Sequence, residues 1–147
     1  VRNSVRLIKA KKISSDIQFI YGIRKDIAIQ MNEGELQTIL INLFDNACYW
    51  IKESKTDDKR IVIETESEKN GRVTIVVSDT GLGVEPENAE KIFTPGITAK
   101  PKGIGMGLVI VTELVNAYNG KVGLRYPGNL HGATFAFDVP MKRGESQ

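Results

Sequence analysis

The sequence predicts an α+β protein, a two-layer α/β sandwich in which helices cover one face of a mixed, mainly antiparallel sheet. Three regions have the pattern of a β-hairpin, with two extended stretches joined by a short turn: 16–31, 60–78 and 121–139. Two other stretches repeat apolar residues with the helical period of 3.6. Because hairpins and helices follow one another without repeats or an internal linker, we expect one core between a helical layer and a sheet.

The composition is that of a single globular domain. The 147 residues give room for a real core, and 41% hydrophobic with 26% charged residues argues against disorder. A net charge of +2 is too small to indicate a nucleic-acid partner or direct membrane contact. No apolar run approaches the length of a membrane span, and no signal-peptide pattern opens the chain. The single cysteine, Cys48, excludes an internal disulfide and fits a reducing compartment.

The N-terminal stretch is densely basic, and its apolar residues recur at near-helical spacing. We interpret residues 1–12 as the end of a preceding helical segment or linker, and residues 13–147 as the domain itself. Because Val1 is not an initiator methionine, we expect the chain to be a fragment of a longer protein.

The first predicted hairpin starts with an extended stretch in which Ile17, Phe19 and Tyr21 fall on one side. A turn over 22–26 leads to a second short strand at 27–31. We expect these two strands to pair with each other.

A long helix is predicted from Asn32 to about Lys55. Asn32 is a favoured N-cap residue, and the acidic residues after it lie where the helix dipole favours negative charge. The core face of the helix carries apolar residues three and four positions apart: Leu36, Ile39, Leu40, Leu43 and Ala47. A polar loop over 56–59 separates this helix from the second hairpin. The turn of that hairpin, Asn70-Gly71, is the strongest hairpin signal in the chain.

Beyond the second hairpin, residues 79–102 form a long stretch punctuated by glycine and proline, with one short helical piece at 87–93. Such a loop inside a compact domain is usually functional, often as a lid. A second long helix is predicted over 108–118, with Gly120 as its C-terminal glycine. The third hairpin, 121–139, closes the fold.

The turn before the second long helix has glycine at alternate positions, Gly103, Gly105 and Gly107, followed by Leu108. Without Cβ atoms its N–H groups can approach an anion closely, and a glycine-rich turn that opens a helix has the geometry of a phosphate site. The alternative is a tight loop between two elements. The chain has no P-loop motif, and Leu108 stands where the dinucleotide-binding fingerprint needs glycine, so neither conventional nucleotide motif applies.

Asn42 and Asn46 are four residues apart on the first long helix, so they project from one face beside its apolar stripe. Their carboxamide oxygens are hard, neutral ligands suited to a magnesium ion held between protein and phosphates. The alternative is two half-buried asparagines that bond to nearby backbone groups. Asparagine is a mediocre helix former, so two in register need a reason.

Asp79 ends a buried strand and is followed by Gly81 and Gly83. Its carboxylate can accept a hydrogen bond from an exocyclic amino group such as N6 of adenine, while the glycines let the backbone turn tightly beside the ring. The alternative is an aspartate that organises the turn. Lys100 stands just before the glycine turn, in a position to reach a terminal phosphate. Elsewhere in a polar loop such a lysine would be a solvated charge.

Four stretches, in this order and spacing, resemble the motifs of the ATP-binding catalytic domain of sensor histidine kinases. Residues 42–47 resemble its asparagine box, 79–84 its first glycine box, 92–96 its phenylalanine box and 103–108 its second glycine box. That domain belongs to the GHKL superfamily, which it shares with DNA gyrase B, the heat-shock chaperone and MutL. The resemblance covers roughly 16–140 and implies the Bergerat fold.

The resemblance implies a role for each matching residue. Asn46 and Asn42 would hold a magnesium ion that bridges the phosphates of ATP. Asp79 would accept from N6 of adenine, and Lys100 would meet the γ-phosphate. The same match assigns Gly81 and Gly83 to the base pocket, Gly103, Gly105, Gly107 and Leu108 to the phosphate chain, and Thr134 to the base pocket from the last strand. Trp50 stands where the family often has an aromatic residue against adenine, with core packing as the alternative.

Hydrolytic members of the superfamily place a glutamate one turn before the magnesium asparagine, where it activates water. Here that position is Asn42, and Asp45 is offset from that helix face. A site that binds Mg-ATP without its own base suits phosphotransfer, so the resemblance implies a protein-histidine kinase catalytic domain. The only histidine, His131, has no acidic neighbour in sequence, and we expect it to be a surface-loop residue rather than the phosphoacceptor.

The implied partners are a histidine-containing helical dimerisation domain of the same parent protein and the receiver domain of a response regulator, all in the cytoplasm. Two other functions remain open: an ATP-gated regulatory or anti-sigma-type module, and an autonomous GHKL ATPase. Residues 98–101 resemble a Thr-Thr-Lys-Pro run of kinases allied to nitrogen and dicarboxylate sensing, with Ala99 as the departure. Residues 95–97 also depart from the usual lid pattern.

Overall fold

The structure, a computed structural model, describes residues 16–24, 27–95 and 106–142, apart from the side chains of residues 67 and 68. The basic helix predicted at 1–12 lies outside these residues, and so do Lys100, Gly103 and Gly105. The predicted boundary between residues 12 and 13 therefore stays a prediction.

Both long helices form where the apolar period predicts them. Helix α1 is Glu33–Ser54: Asn32 caps it by accepting from the N–H of Glu35, and Lys55 ends it in the left-handed conformation. Helix α2 is Gly107–Ala117. The buried residues of α1 are Ile39, Leu40, Leu43, Phe44, Ala47, Cys48 and Ile51, which include all of the predicted core face except the partly buried Leu36.

In the described ranges, five strands form one mixed sheet in the order β1-β2-β3-β5-β4. Their bounds are β1 Gln18–Gly22, β2 Arg60–Lys69, β3 Arg72–Asp79, β4 Val122–Leu124 and β5 Thr134–Pro140. Only the β1–β2 pair is parallel among the pairs in this sheet; the other three are antiparallel. The α+β sandwich with a mixed, mainly antiparallel sheet is therefore confirmed, and β3 is its central strand.

Two of the three predicted hairpins are confirmed. β2 and β3 are joined through Asn70 and Gly71, which adopt φ values of 53° and 73°, as a tight hairpin turn requires. β4 and β5 also pair antiparallel. The first hairpin is wrong: β1 pairs in parallel with β2, and Ile29 forms an isolated antiparallel bridge with Met141. Local alternation identified the extended stretches, but it carries no information about distant partners.

Two local details differ from the sequence prediction. The helical piece expected at 87–93 is a pair of short 3-10 turns, Pro86–Asn88 and Lys91–Phe93. After α2, the left-handed residue is Asn119, with φ of 62°, and not Gly120. A Cβ at Gly120 would collide with the carbonyl oxygen of Asp138, so close approach to β5 accounts for this glycine.

The core lies between the helices and one face of the sheet. β3 and β5 contribute alternate residues to it, including Ile75, Val77, Phe135 and Phe137, all at most 2% exposed. Phe93 packs edge to face on Phe135, with 6.2 Å between ring centroids. In the part of the chain that the structure describes, no helix combines the length and apolar character needed to cross a membrane.

Candidate functional site

Asp79 lies at the end of the central strand β3, and its side chain is held from two sides. It is 3% exposed. One carboxyl oxygen, Oδ1, accepts from the N–H of Gly81 at 2.8 Å and from the N–H of Ala133 at 3.2 Å. Within the described ranges no hydrogen bond to Oδ2 is formed. The carboxyl is therefore fixed in orientation and keeps one oxygen available to accept from a ligand.

Burial raises the pKa of the Asp79 carboxyl to about 6. The N–H groups of Gly81 and Ala133 act in the opposite direction, as does the positive potential of His131. A buried acid with a perturbed pKa at the end of a strand is typical of a functional site.

The turn after Asp79 is packed tightly against the end of α1. A Cβ at Gly81 would lie 2.9 Å from the carbonyl carbon of Trp50 and 3.0 Å from the nitrogen of Ile51. Gly83 adopts φ of 79°, a conformation that residues with a side chain rarely accept. The backbone therefore requires glycine at both positions. The predicted base-pocket turn lies against α1, the helix that carries Asn42 and Asn46.

Gly132 contacts Asp79 directly, and the sequence analysis above did not single it out. Its N–H donates to the carbonyl oxygen of Asp79 at 3.1 Å. A Cβ at this position would collide with both the carboxyl and the carbonyl oxygen of Asp79, and it would lie 2.6 Å from the nitrogen of Gly81. The glycine that precedes Ala133 and Thr134 was visible in the sequence, but its contact with Asp79 depends on the pairing of β3 with β5.

Thr134 does not contact the group around Asp79, and its assignment to the base pocket stays a prediction. Its hydroxyl oxygen lies 3.3 Å from that of Ser78 and accepts from the N–H of Asn129 at 2.9 Å. Ser78 and Thr134 are paired across β3 and β5. Their neighbours along the strands, Val77 and Phe135, point into the core. Alternation along the strands puts both hydroxyls on the sheet face opposite the carboxyl of Asp79. The neighbour of Asp79 on this side is Ala133, which immediately precedes β5.

Asn42 and Asn46 are both half-buried on α1, one turn apart. The amide nitrogen of Asn42 donates to the carbonyl oxygen of Thr38 at 2.8 Å. Its Oδ1 faces α2, since a Cβ at Gly107 would lie 3.0 Å from it. The side chain of Asn46 has no hydrogen-bonding partner among the residues described. The amide oxygen of Asn46 is thus available as a neutral oxygen ligand, which fits the donor set that magnesium takes.

Among the residues described, no side chain caps the N-terminus of α2. Met106 provides no side-chain cap, and the first turn, which contains Gly107 and Leu108, carries no acidic residue. The N–H groups of a first helical turn have no partner within the helix, and the helix dipole adds positive potential there. Gly107, the first residue of this turn, lies against the side chain of Asn42. The other predicted phosphate contacts, Lys100, Gly103 and Gly105, lie outside the described residues.

Trp50 is half-buried one turn after Asn46, and its indole packs edge to face on Tyr49 with 4.9 Å between ring centroids. The side chain is not part of the fully buried core. His131 is exposed in the β4–β5 loop, as expected from the sequence, but folding brings it near the carboxylates of Asp58 and Asp79.

The sequence matches a family described as histidine kinase-, DNA gyrase B- and HSP90-like ATPase over residues 31–143. Sensor histidine kinase ZraS of Salmonella typhi is 30% identical over 142 residues, which are 96% of this chain and 30% of that protein. The C4-dicarboxylate transport sensor protein DctB of Rhizobium meliloti is 35% identical over 108 residues, 74% of this chain and 17% of that protein. The chain thus spans less than a third of the length of these relatives.

Solved structures of histidine kinases have the same fold. The mycobacterial sensor histidine kinase MprB superimposes with a TM-score of 0.82 at 21% identity, over 97% of this chain and 93% of that chain. The catalytic domain of histidine kinase ThkA, nucleotide-free, gives 0.77 at 27% identity, over 95% and 90%. Full-length ShkA in complex with AMPPNP gives 0.79 at 28% identity, over 97% of this chain and 29% of that chain.

Proposed function

The chain belongs to the histidine kinase-, DNA gyrase B- and HSP90-like ATPase family, and we propose that it binds Mg-ATP and donates the γ-phosphate to a histidine on a separate helical dimerisation domain. The observation that carries the phosphotransfer part is the pair on α1. Asn46 has an available amide oxygen, while the residue one turn before it is Asn42, whose amide nitrogen is bonded to Thr38. An amide has no useful basicity, so α1 offers no base at that position to activate water.

The adenine ring is proposed to bind beside Asp79. The oxygen Oδ1 is held by Gly81 and Ala133, so Oδ2 is the atom that accepts from the N6 amino group. Adenine offers a donor at N6 where guanine offers an oxygen, and a buried carboxylate facing that oxygen would be left without a partner. The fixed carboxyl therefore favours adenine over guanine. Complexation of the relative ShkA with AMPPNP, an adenine nucleotide, supports this assignment.

The phosphates are proposed to lie between α1 and the N-terminus of α2. Gly107 and Leu108 present backbone N–H groups there, and Lys100, Gly103 and Gly105 complete the phosphate contacts in this proposal. Asn46 and Asn42 would hold a magnesium ion on the other side of the phosphates. When bound, that ion neutralises charge on the phosphate oxygens. Trp50 is the proposed aromatic residue that packs against the face of the adenine ring.

The acceptor histidine is proposed to come from outside the domain. His131 is exposed in the β4–β5 loop, and no described helix carries it. The relative ZraS is a sensor histidine kinase, which supports a helical dimerisation domain of the same parent protein and a receiver domain of a response regulator as the proposed partners. The cytoplasm, where ATP is plentiful, is the proposed location.

Transfer of label from γ-labelled ATP tests the proposal. The parent protein with its acceptor histidine should take up acid-labile, base-stable label, and Asn46→Ala should abolish the uptake. The matched control is Gly123→Ala, in which the new Cβ meets nothing within 4 Å, and it should be labelled like the wild type. Sustained multiple turnover of ATP by the isolated domain without labelling of any histidine would instead support an autonomous ATPase.

A further inference from the structure

A tyrosine hydroxyl connects the end of α2 to the beginning of α1. The hydroxyl of Tyr118 donates to Oε1 of Glu35 at 2.6 Å and accepts from the backbone N–H of Asn32 at 3.1 Å. We call this three-residue group the hydroxyl clasp. The bond to Glu35 raises the pKa of Tyr118 above its usual value, in keeping with a hydroxyl that donates to a carboxylate.

The hydroxyl clasp modifies a common helix-start motif. Asn32 is the N-cap of α1 and its Oδ1 accepts from the N–H of Glu35, three residues on. In an ordinary capping box the glutamate would reach back to the N–H of the cap residue. Here the hydroxyl of Tyr118 stands between these two groups. The N-terminus of α1 is therefore completed only when α2 is docked on it.

Helix α2 contacts α1 at both of its ends, and the clasp is the second of these two end contacts. The first is at the N-terminal end of α2, where Gly107 packs against Oδ1 of Asn42. The second is at its C-terminal end, through Tyr118. Helix α2 has 11 residues, so the two end contacts are about 16 Å apart along its axis. Val111 and Val115, both fully buried, lie between them in the sequence of α2.

We propose that Tyr118 is a positioning residue, which holds the N-terminus of α2 at the correct distance from Asn42 and Asn46. This inference rests on the proposed function, because it assumes that α1 and α2 contact the phosphates of one nucleotide from opposite sides. When the hydroxyl clasp is lost, the N-terminal end of α2 can shift relative to α1. The phosphate end of the nucleotide then loses its fitted contacts, while the base pocket at Asp79, built from β3 and β5, does not change.

A ligand series tests the proposal in the full chain by calorimetry. Wild type and Tyr118→Phe are titrated with adenosine and with Mg-ADP. The variant keeps the aromatic ring and loses only the hydroxyl. We expect Mg-ADP to bind about fivefold more weakly and adenosine to change less than about twofold, since only the phosphate contacts are strained. Glu35→Gln retains an acceptor for the hydroxyl and should restore most of the loss that Glu35→Ala causes.

Val139→Ala is the stability control, because it truncates a fully buried residue at the far end of β5. It should lower the melting temperature without changing the ratio of the two affinities. Equal weakening of adenosine and Mg-ADP by Tyr118→Phe, or no weakening of either, would overturn the positioning role. Failure of the wild type itself to bind Mg-ADP would overturn the proposed function instead.

Discussion

Asn42 and Gly107 touch across the interface of the two long helices: the side-chain oxygen of Asn42 lies 3.0 Å from where a Cβ of Gly107 would be. The amide nitrogen of the same side chain is bonded to Thr38, so the asparagine cannot turn away without losing that bond. Lack of space therefore favours glycine as the first residue of α2, in addition to the phosphate access proposed above.

The substitution Gly107→Ala tests whether crowding of Asn42 affects folding, nucleotide binding or both. Alanine favours the helix by about 1 kcal/mol, while crowding of Asn42 opposes it, so the melting temperature should change little. Mg-ATP should bind about fivefold more weakly because the asparagine is displaced. Isothermal titration measures the affinity. In an Asn42→Ala background the same substitution should have a smaller effect, and equal effects in both backgrounds would contradict the contact.

Asp79→Asn should weaken ATP binding by roughly 1–3 kcal/mol. The amide oxygen can still accept from Gly81 and Ala133, which leaves the amide nitrogen where Oδ2 was. Two donors, that nitrogen and N6 of adenine, would then face each other. The measurement is the affinity for ATP and for GTP, and the preference for ATP should fall with the substitution. An unchanged affinity for ATP would contradict the proposal that Asp79 binds N6 of adenine.

The ligand-free domain should lose stability as the pH rises from about 4 to about 6 through the titration of Asp79. Its folded pKa is raised to about 6 from 3.8, so the folded state holds the proton more tightly than the unfolded chain. The contribution is complete below the unfolded value and is lost as the pH passes the folded one. Urea unfolding of the wild type and of Asp79→Asn between pH 4 and pH 7 measures this contribution as the pH-dependent difference between their free energies of unfolding. A difference between the two that does not vary with pH would argue against the raised pKa.

ATP affinity should show the opposite trend, because the ionised carboxylate is the better acceptor for N6. Binding near pH 6 should release a proton, which is seen as a dependence of the calorimetric heat on the buffer. Asp79→Asn should abolish this proton release. Its persistence in the variant would place the titrating group elsewhere.

Gly132→Ala should cost about 1–3 kcal/mol of folding free energy, since the new Cβ would collide with Asp79. The same change at Gly123, in strand β4 with open space around it, should stay within about 0.5 kcal/mol. Denaturant midpoints compare the two variants. Similar midpoints would mean that the β4–β5 loop can yield, and that the contact of Gly132 with Asp79 does not restrain the carboxyl.

Features decided by neighbouring residues were predictable from the sequence. Asn32 caps α1 through a bond to a residue three positions on, and Asn70-Gly71 sets a tight turn through its own φ values. The amphipathic period likewise located both helices. Each of these depends on a few consecutive residues, so a window along the chain contains all the necessary information.

Features decided by distant pairing were not predictable in this way. Ile29 was assigned to a hairpin, yet its partner is Met141, more than a hundred residues away. The assignment of Thr134 depended on which strand face reaches Asp79, and that follows from the register of β5 on β3. Gly132 and the hydroxyl clasp have the same origin. Motif order identified the family, but only the register shows which atoms meet.

The position of β5 between β3 and β4 has a consequence for how the protein is made. β5 begins at Thr134, so a chain still attached to the ribosome and ending before this strand has an incomplete sheet, with the central strand β3 exposed along one edge. Without β5, Ala133 is not held where its N–H donates to Asp79. A nascent chain can therefore form the proposed nucleotide pocket only after β5 has left the exit tunnel. In the proposed function, ATP would stabilise chains with a complete sheet and not shorter ones.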